Sequence, residues 1–205
     1  MFDLHNVLQP RPADPRLHVV LGAPIDAEPK EGEEVIFFAA GCFWGVEKIF
    51  WSAPGVVTTA TGYMGGHAPS PTYREVCTKT TGHAETVRVV FDTARTSAAD
   101  LIALFFEIHD PTQGDRQGND IGPQYRSAIW TTTPTQYEVA AATLSAYQDR
   151  LAQEGFPPIT TAVAGAEGVT FWEAEDYHQG YLFKNPDGYQ CHSRTGVACP
   201  VMKTS

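Results

Sequence analysis

The sequence has no long uninterrupted apolar run. No stretch of its 205 residues reaches the roughly eighteen consecutive apolar residues that a membrane-spanning helix needs. Residues 1–6 also lack the basic region and the apolar core of a secretory signal. We therefore expect a protein with no membrane partner and a cytoplasmic location.

Positive charge is scarce as well. The chain has 14 Lys and Arg residues against 24 Asp and Glu residues, and its formal net charge is −10. Proteins that bind nucleic acids or anionic lipid surfaces do so largely through an excess of Lys and Arg. The composition therefore argues against nucleic acid as a partner.

Cysteine is sparse, with four residues spread unevenly along the chain. A disulfide framework is typical of small secreted domains, so we expect redox chemistry here instead. A structural zinc site normally has paired Cys and His ligands at short, regular spacings, which this sequence lacks. We therefore expect no metal, although possible ligands exist at Cys77, His83, Cys191, His192 and Cys199.

The length and composition suit a single domain over residues 1–205. With 42% hydrophobic and 19% charged residues, the chain can bury one core but is too short for two domains of ordinary size. Residues 1–34 contain several prolines without clear periodicity and are predicted to form an extended N-terminal arm. Residues 186–205, which include Gly188 and Gly196, are predicted to form a mobile C-terminal redox tail.

The most informative segment is VIFFAAGCFWGVE, at residues 35–47. Its first six residues are continuously apolar, as in a buried strand, and Gly41 permits a sharp turn. From Phe43 onward apolar residues recur at helical spacing until the Pro-Gly pair at residues 54–55. Cys42 is therefore predicted in the first turn of a helix, where free N–H groups and the helix dipole favour the reactive thiolate. The alternative is a buried, unreactive cysteine.

Patterns elsewhere predict an α+β fold. Strands are predicted around residues 56–63, 85–91, 127–131 and 160–164, and helices after Ser97, after Thr133 and over residues 173–183. Residues 64–83, rich in Gly and Pro, are predicted to form a long functional loop. The core order of strand, helix, strand, strand, helix and strand matches a ferredoxin-like α/β sandwich, βαββαβ, with long loops.

Several short motifs follow one another along the chain. They are GCFWG at residues 41–45, GYMGG at 62–66, PTY at 71–73, GHAE at 82–85, QGND at 117–120 and QYRS at 124–127. Together they resemble the A-class peptide methionine sulfoxide reductases over about residues 35–190. The resemblance implies a ferredoxin-like architecture wrapped in long loops. It also implies an enzyme that reduces the S form of methionine sulfoxide, free or in proteins, to methionine.

The resemblance also implies roles for individual residues. Cys42 would attack the sulfoxide sulfur and become a sulfenic acid. Glu85 opens an apolar strand, where partial burial raises a carboxyl pKa, and would protonate the departing oxygen. Tyr73 and Tyr125 would hydrogen-bond that oxygen, and Asp120 would help to set the environment of Cys42.

The residues on the C-terminal side of Cys42 are candidates for the substrate pocket. Trp44 lies off the apolar stripe of the predicted helix, which favours contact with the substrate methyl group. Phe43 begins that stripe and fits core packing equally well. The family resemblance implies the pocket role for both Trp44 and Phe43.

The last two cysteines suggest how Cys42 is regenerated. Cys191 would form a disulfide with Cys42, and Cys199 would then attack Cys191 and present the new disulfide to thioredoxin. The less favoured alternative is that Cys199 is incidental and that Cys191 alone resolves the sulfenic acid. The reductant would be this external dithiol, with no bound cofactor.

Other cysteine chemistries stay open at this point. A Cys-His hydrolase or acyl-transfer enzyme would use His83, His109 or His178 to activate Cys42, and the sequence does not select one. A thiol peroxidase would also pass through a sulfenic acid. A redox-sensing module would use the same cysteine without catalysis.

Overall fold

A computed structural model describes residues 16–190 and 193–200. Within these ranges the strands are β1 (Glu33–Ala40), β2 (Val56–Met64), β3 (Ala84–Asp92), β4 (Arg116–Gln117), β5 (Asp120–Ile121), β6 (Ser127–Thr131), β7 (Ala162–Gly165) and β8 (Trp172–Glu173). The helices are α1 (Phe43–Trp51), α2 (Tyr73–Cys77), α3 (Ala98–Ile108), α4 (Pro134–Gln153) and α5 (Tyr181–Lys184). A 3₁₀ turn covers Pro123–Tyr125.

Six of these strands form one sheet in the order β7-β6-β1-β3-β2-β8, and β4 and β5 form a separate hairpin. Strand β1 is antiparallel to both of its neighbours, and β2 is antiparallel to β3. The core strands therefore lie in the order β6-β1-β3-β2, which is compatible with the predicted ferredoxin-like arrangement. The α+β class predicted from the sequence is confirmed.

Both faces of β1 are buried, which explains its continuous apolar sequence. On one face Phe38 stacks on Phe50 of α1 and Phe105 of α3, with ring centroids 4.6 and 5.3 Å apart. On the other face Phe37 packs beside Phe171, at 5.3 Å between centroids. This packing fixes α1, and therefore the residue that precedes it, relative to the central strand.

The two long helices begin at the predicted caps. The Ser97 hydroxyl accepts a hydrogen bond from the backbone N–H of Asp100, and the Thr133 hydroxyl accepts one from that of Gln136. Each cap satisfies a backbone donor that the helix itself leaves free. These helix starts were predictable because the signal is local in sequence.

Two predictions about irregular segments are corrected by the structure. The long loop at residues 64–83 contains α2, which begins with a reciprocal capping box between Thr72 and Glu75. The predicted helix over residues 173–183 is wrong, because this segment contains β8 and only the short α5. Gly180 has a φ of 62°, which interrupts a right-handed helix, and the Gln179 side chain bonds the backbone of Thr61 instead.

The described part of the predicted arm packs on the domain. Ile25 is buried, and the Arg88 guanidinium donates to the carbonyl groups of Ile25 and Ala27. The last two residues assigned to the arm, Glu33 and Glu34, belong to β1. Residues 1–15 of the arm lie outside the described ranges. Among the helices of the described ranges, none combines the length and the apolarity needed to cross a membrane.

Candidate active site

Cys42 lies between the end of β1 and the start of α1, as predicted. The turn before it depends on Gly41, which has a φ of 93° and whose missing Cβ would lie 2.7 Å from the Gln117 side chain. No other residue type fits this combination of backbone angle and close approach. The turn leaves Cys42 only 8% exposed at the N-terminus of the helix.

The pKa of the Cys42 thiol is raised well above its usual value. Burial is the largest cause, followed by the negative charge that Glu85 carries when ionised. Hydrogen bonds from the backbone N–H groups of Trp44 and Gly45 act in the opposite direction. The helix terminus therefore acts on the Cys42 pKa in the predicted direction, but desolvation outweighs the two N–H groups and the thiol form is favoured in the free protein.

Glu85 lies at the second position of β3 and is only 2% exposed. Its Oε2 accepts a hydrogen bond of 3.0 Å from the backbone N–H of Phe43, the residue after Cys42. Burial raises the pKa of Glu85 to about 8, and the hydrogen bond from Phe43 only partly opposes this. At neutral pH the group is therefore mainly a neutral carboxylic acid beside the thiol.

Two phenols approach the same place from different elements. Tyr73 is the first residue of α2, and Tyr125 ends the 3₁₀ turn. Burial is the main cause that raises the pKa of each phenol, and the charges of Glu85 and Cys42 add to the effect at both. The two hydroxyl groups therefore stay protonated and available as hydrogen-bond donors.

Asp120 lies on the β4–β5 hairpin and contributes negative charge to this site. It raises the pKa of both Cys42 and Glu85, in each case less than burial does. The Tyr189 hydroxyl donates to the Asp120 carboxylate, at 3.2 Å from each oxygen. Tyr189 was not among the predicted site residues, and its contact brings the start of the C-terminal tail to the site.

Trp44 forms part of an aromatic wall. Its indole N–H donates to Nδ1 of His178 at 2.9 Å, and its ring stacks on Tyr181 with 3.7 Å between centroids. The His178 ring also packs against Phe43 and Tyr73, at 5.0 and 4.6 Å. Trp44 is partly exposed, as a pocket residue would be, whereas Phe43 is buried in the core cluster.

Sequence reasoning missed two residues that shape this wall, Tyr181 and Glu175, and it named His178 only as a candidate for activating Cys42. Glu175 accepts hydrogen bonds from the Tyr73 backbone N–H at 2.8 Å and from the Tyr63 hydroxyl at 2.9 Å. The incorrect helix over residues 173–183 concealed them, because a regular helix would have pointed their side chains in other directions. The signal that was available is Gly180, which interrupts the helical pattern.

The histidines proposed for a Cys-His enzyme have other contacts. Burial lowers the pKa of His178 to about 4, and its Nδ1 is engaged by Trp44. The His109 ring bonds the Phe105 carbonyl and the Ser127 hydroxyl, at 2.7 and 2.8 Å. These contacts give two of the three candidates structural roles: His109 bonds α3 and β6, and His178 supports the aromatic wall.

The C-terminal cysteine is packed rather than extended. Cys199 is 7% exposed, and its backbone N–H donates to Oε1 of Glu107 on α3 at 2.9 Å. The Tyr147 hydroxyl holds the same segment through Thr195, at 2.7 Å, and the Val197 carbonyl, at 2.9 Å. Burial is the main cause that raises the pKa of Cys199 to about 12. Cys191, the other predicted tail cysteine, lies outside the described residues.

The possible zinc ligands do not form a recognisable cluster in the described part of the chain. Within residues 16–190 and 193–200, no three His, Cys, Asp or Glu side chains are grouped as a metal would require. Cys191 and His192 lie outside these ranges. Cys77 is exposed.

The fold and the site together define a cysteine-based enzyme whose thiol is surrounded by neutral proton donors. The family model for peptide methionine sulfoxide reductase matches residues 34–203. The chain belongs to this family. It is therefore an enzyme that reduces methionine sulfoxide, as the sequence motifs implied.

Individual relatives agree with this assignment. The peptide methionine sulfoxide reductase MsrA of Streptomyces griseus is 53% identical over 91% of this chain and 84% of its own length. The solved methionine sulfoxide reductase A of Corynebacterium diphtheriae is 45% identical, with a TM-score of 0.81 over 93% of this chain and 91% of that one. Reduced Mxr1 from Saccharomyces cerevisiae is 31% identical, with a TM-score of 0.74 over 82% of this chain and 94% of that one.

Proposed function

We propose that the reduction takes place at Cys42, with Glu85 as the acid and with Tyr73 and Tyr125 as hydrogen-bond donors to the sulfoxide oxygen. The observation that carries this proposal is the buried Glu85 carboxyl, whose pKa is raised to about 8 beside the thiol. Hydrolases and acyl-transfer enzymes need a base to activate the cysteine. Sulfoxide reduction instead needs an acid, which this site supplies.

Substrate binding uses the aromatic wall and the two phenols. The substrate methyl group packs against Trp44, with Phe43 behind it, because an apolar pocket removes that group from water. The sulfoxide oxygen carries partial negative charge and accepts hydrogen bonds from Tyr73 and Tyr125. This arrangement presents the sulfur to Cys42 and selects the S epimer, as the family resemblance implies.

In the chemical step the Cys42 sulfur attacks the substrate sulfur while Glu85 protonates the oxygen. The oxygen then moves from the substrate to Cys42, so the thiol is oxidised to a sulfenic acid and the sulfoxide is reduced to a thioether. The Cys42 thiol loses its proton in this step, and that proton returns Glu85 to its protonated form. The two raised pKa values suit this exchange because both groups begin the reaction protonated.

Recycling then uses the tail cysteines. The Cys191 thiol condenses with the Cys42 sulfenic acid and releases water, and Cys199 displaces Cys42 from the resulting disulfide. An external dithiol of the thioredoxin type, in the cytoplasm, reduces the Cys191–Cys199 bridge, so no resident cofactor takes part. Because Cys199 is buried against Glu107, the segment at residues 193–200 must leave its position during each cycle.

The test compares the separated S and R epimers with dithiothreitol as reductant. The wild-type protein should reduce the S epimer, Cys42→Ser should be inactive, and Cys77→Ser should serve as the active control. Peptide mass mapping after one equivalent of substrate should show Cys191–Cys199 in the wild type and Cys42–Cys191 in Cys199→Ser. Preferential turnover of the R epimer, or an active Cys42→Ser variant, would contradict the proposal.

A further inference from the structure

A chain of buried hydrogen bonds joins the N-terminal arm to the helix that follows Cys42. Nδ1 of His18 accepts from the backbone N–H groups of Val20 and Leu21, both at 3.1 Å, so the ring proton is on Nε2. Nε2 then donates to the Thr59 hydroxyl at 2.9 Å, and that hydroxyl donates to Oε1 of Glu47 at 3.3 Å. His18, Thr59 and Glu47 are all almost completely buried.

The other oxygen of Glu47 binds the segment that supports Trp44. Oε2 accepts the backbone N–H of Gly180 at 2.9 Å. Gly180 lies between His178, which accepts the Trp44 indole N–H, and Tyr181, which stacks on the same indole. Glu47 is on α1 with Trp44, so one carboxyl group joins the two elements that enclose the indole.

The arm covers this connection from outside. The Val19 side chain packs over Gly180, whose missing Cβ would lie only 2.4 Å from Val19 Cγ2. The Arg16 guanidinium pairs with the carboxylates of Glu173 and Asp176, which precede the same segment. The arm therefore excludes water from Glu47 and holds residues 173–180 in place.

We propose that His18, Thr59 and Glu47 are positioning residues that set the orientation of Trp44 in the substrate pocket. A buried carboxyl group is costly unless its oxygens have hydrogen-bond partners, and here Thr59 and Gly180 supply one to each oxygen of Glu47. The proposal rests on the proposed role of Trp44 in binding the methyl group. It assigns to the arm a function in catalysis that is separate from the chemistry at Cys42.

The experiment measures single-turnover oxidation of Cys42 at increasing concentrations of methionine S-sulfoxide. Thr59→Val removes one hydroxyl from the chain, and loss of one apolar pocket contact is worth about 10-fold in discrimination. We therefore expect the half-saturating concentration to rise about 10-fold, with the maximal rate within about 2-fold of wild type. Thr59→Ser, which keeps the hydroxyl, should restore the wild-type value, and Leu17→Ala, at an exposed side chain of the arm, should not change it.

A double-mutant cycle with Trp44→Ala distinguishes positioning from a general loss of structure. If the chain acts through Trp44, Thr59→Val should have no further effect on half-saturation in the Trp44→Ala background. Glu47→Gln is the second variant, since it keeps the shape and replaces one of the two accepting oxygens with a donating NH₂ group. Glu47→Gln should raise the half-saturating concentration as Thr59→Val does, and it should have no further effect in the Trp44→Ala background.

Three results would overturn the inference. The first is an unchanged half-saturating concentration in both Thr59→Val and Glu47→Gln. The second is an effect of these variants that adds to the effect of Trp44→Ala. The third is a Thr59→Ser variant that binds substrate no better than Thr59→Val. If Thr59→Val does not fold, Glu47→Gln decides the question alone. Failure of the proposed function is distinguishable, because the wild-type protein would then not oxidise Cys42 with this substrate at all.

Discussion

The backbone N–H of Phe43 donates to Glu85 Oε2 at 3.0 Å. One hydrogen bond thus connects α1, the helix that follows Cys42, to β3, the strand that contains Glu85. The same bond consumes one backbone donor at the N-terminus of α1, which is therefore not available to stabilise a Cys42 thiolate. The geometry favours proton donation to the substrate over prior ionisation of the thiol.

The first prediction concerns the pH dependence of stability. The pKa of Glu85 is raised from 4.5 to about 8 in the folded protein, so folding favours its protonated form. This contribution is fully present below about pH 4.5 and is lost as the pH rises toward 8. Within this window the wild-type protein should lose about 1.4 kcal/mol of unfolding free energy per pH unit relative to Glu85→Gln.

Urea unfolding of both proteins at several pH values between 5 and 8 measures this difference directly. The Gln side chain has the same shape but does not titrate, so it is the matched control for every other ionisable group. Parallel stability curves for the two proteins would mean that Glu85 is ionised in the native state throughout this range.

The second prediction concerns the rate of the chemical step. General acid catalysis is typically worth about 10² to 10⁴ in rate, so Glu85→Gln should slow single-turnover oxidation of Cys42 by that factor at neutral pH. The loss should be smaller at low pH, where solvent can supply the proton. Rapid-quench measurement of methionine formation gives the rate, and a variant as fast as wild type at pH 7 would remove Glu85 from the mechanism.

The third prediction concerns the two phenols. Removing one preorganised donor to a developing oxyanion costs about 10² to 10³ in rate, and Tyr73→Phe and Tyr125→Phe should each fall near the lower limit because the other donor remains. The double variant should lose more than either single variant. Substrate binding should change little, since both rings are kept. A double variant no slower than the singles would show that only one phenol contacts the oxygen.

The fourth prediction concerns access to Cys199. The Tyr147 hydroxyl holds the tail at Thr195 and Val197, and each hydrogen bond is worth about 1 kcal/mol net. Tyr147→Phe should therefore increase the rate of alkylation of Cys199 in the reduced protein by about 30-fold, because both hydrogen bonds are lost. Tyr137→Phe on the exposed face of the same helix is the control. Equal alkylation rates would show that Tyr147 does not limit release of the tail.

Much of the fold was predictable because its signals are local. The apolar run that became β1, the caps at Ser97 and Thr133, and the turn at Gly41 each depend on a few adjacent residues. The segment at residues 173–183 was not predictable in the same way. Its conformation depends on bonds from Gln179 to Thr61 and from Gly180 to Glu47, partners more than a hundred positions away.

The proximity of the predicted site residues could be foreseen from the sequence motifs, but their electrostatics could not. The motifs identified Cys42, Glu85, Tyr73 and Tyr125, and their mutual effects on pKa show that the structure brings them together. The effect of the helix terminus on the Cys42 pKa was predicted in the right direction, but the larger effect of burial was not. Helix position can be read from the sequence, whereas the burial that overrides it comes from side chains contributed by several distant segments.

The main sheet has two edge strands, and edge strands are the places where another extended protein chain can pair with a sheet. The outermost strands are β7, with four residues, and β8, with two. Short edge strands offer few free backbone groups to which another extended chain can pair. The short edge strands therefore limit pairing between this sheet and an oxidised protein chain that binds as a substrate.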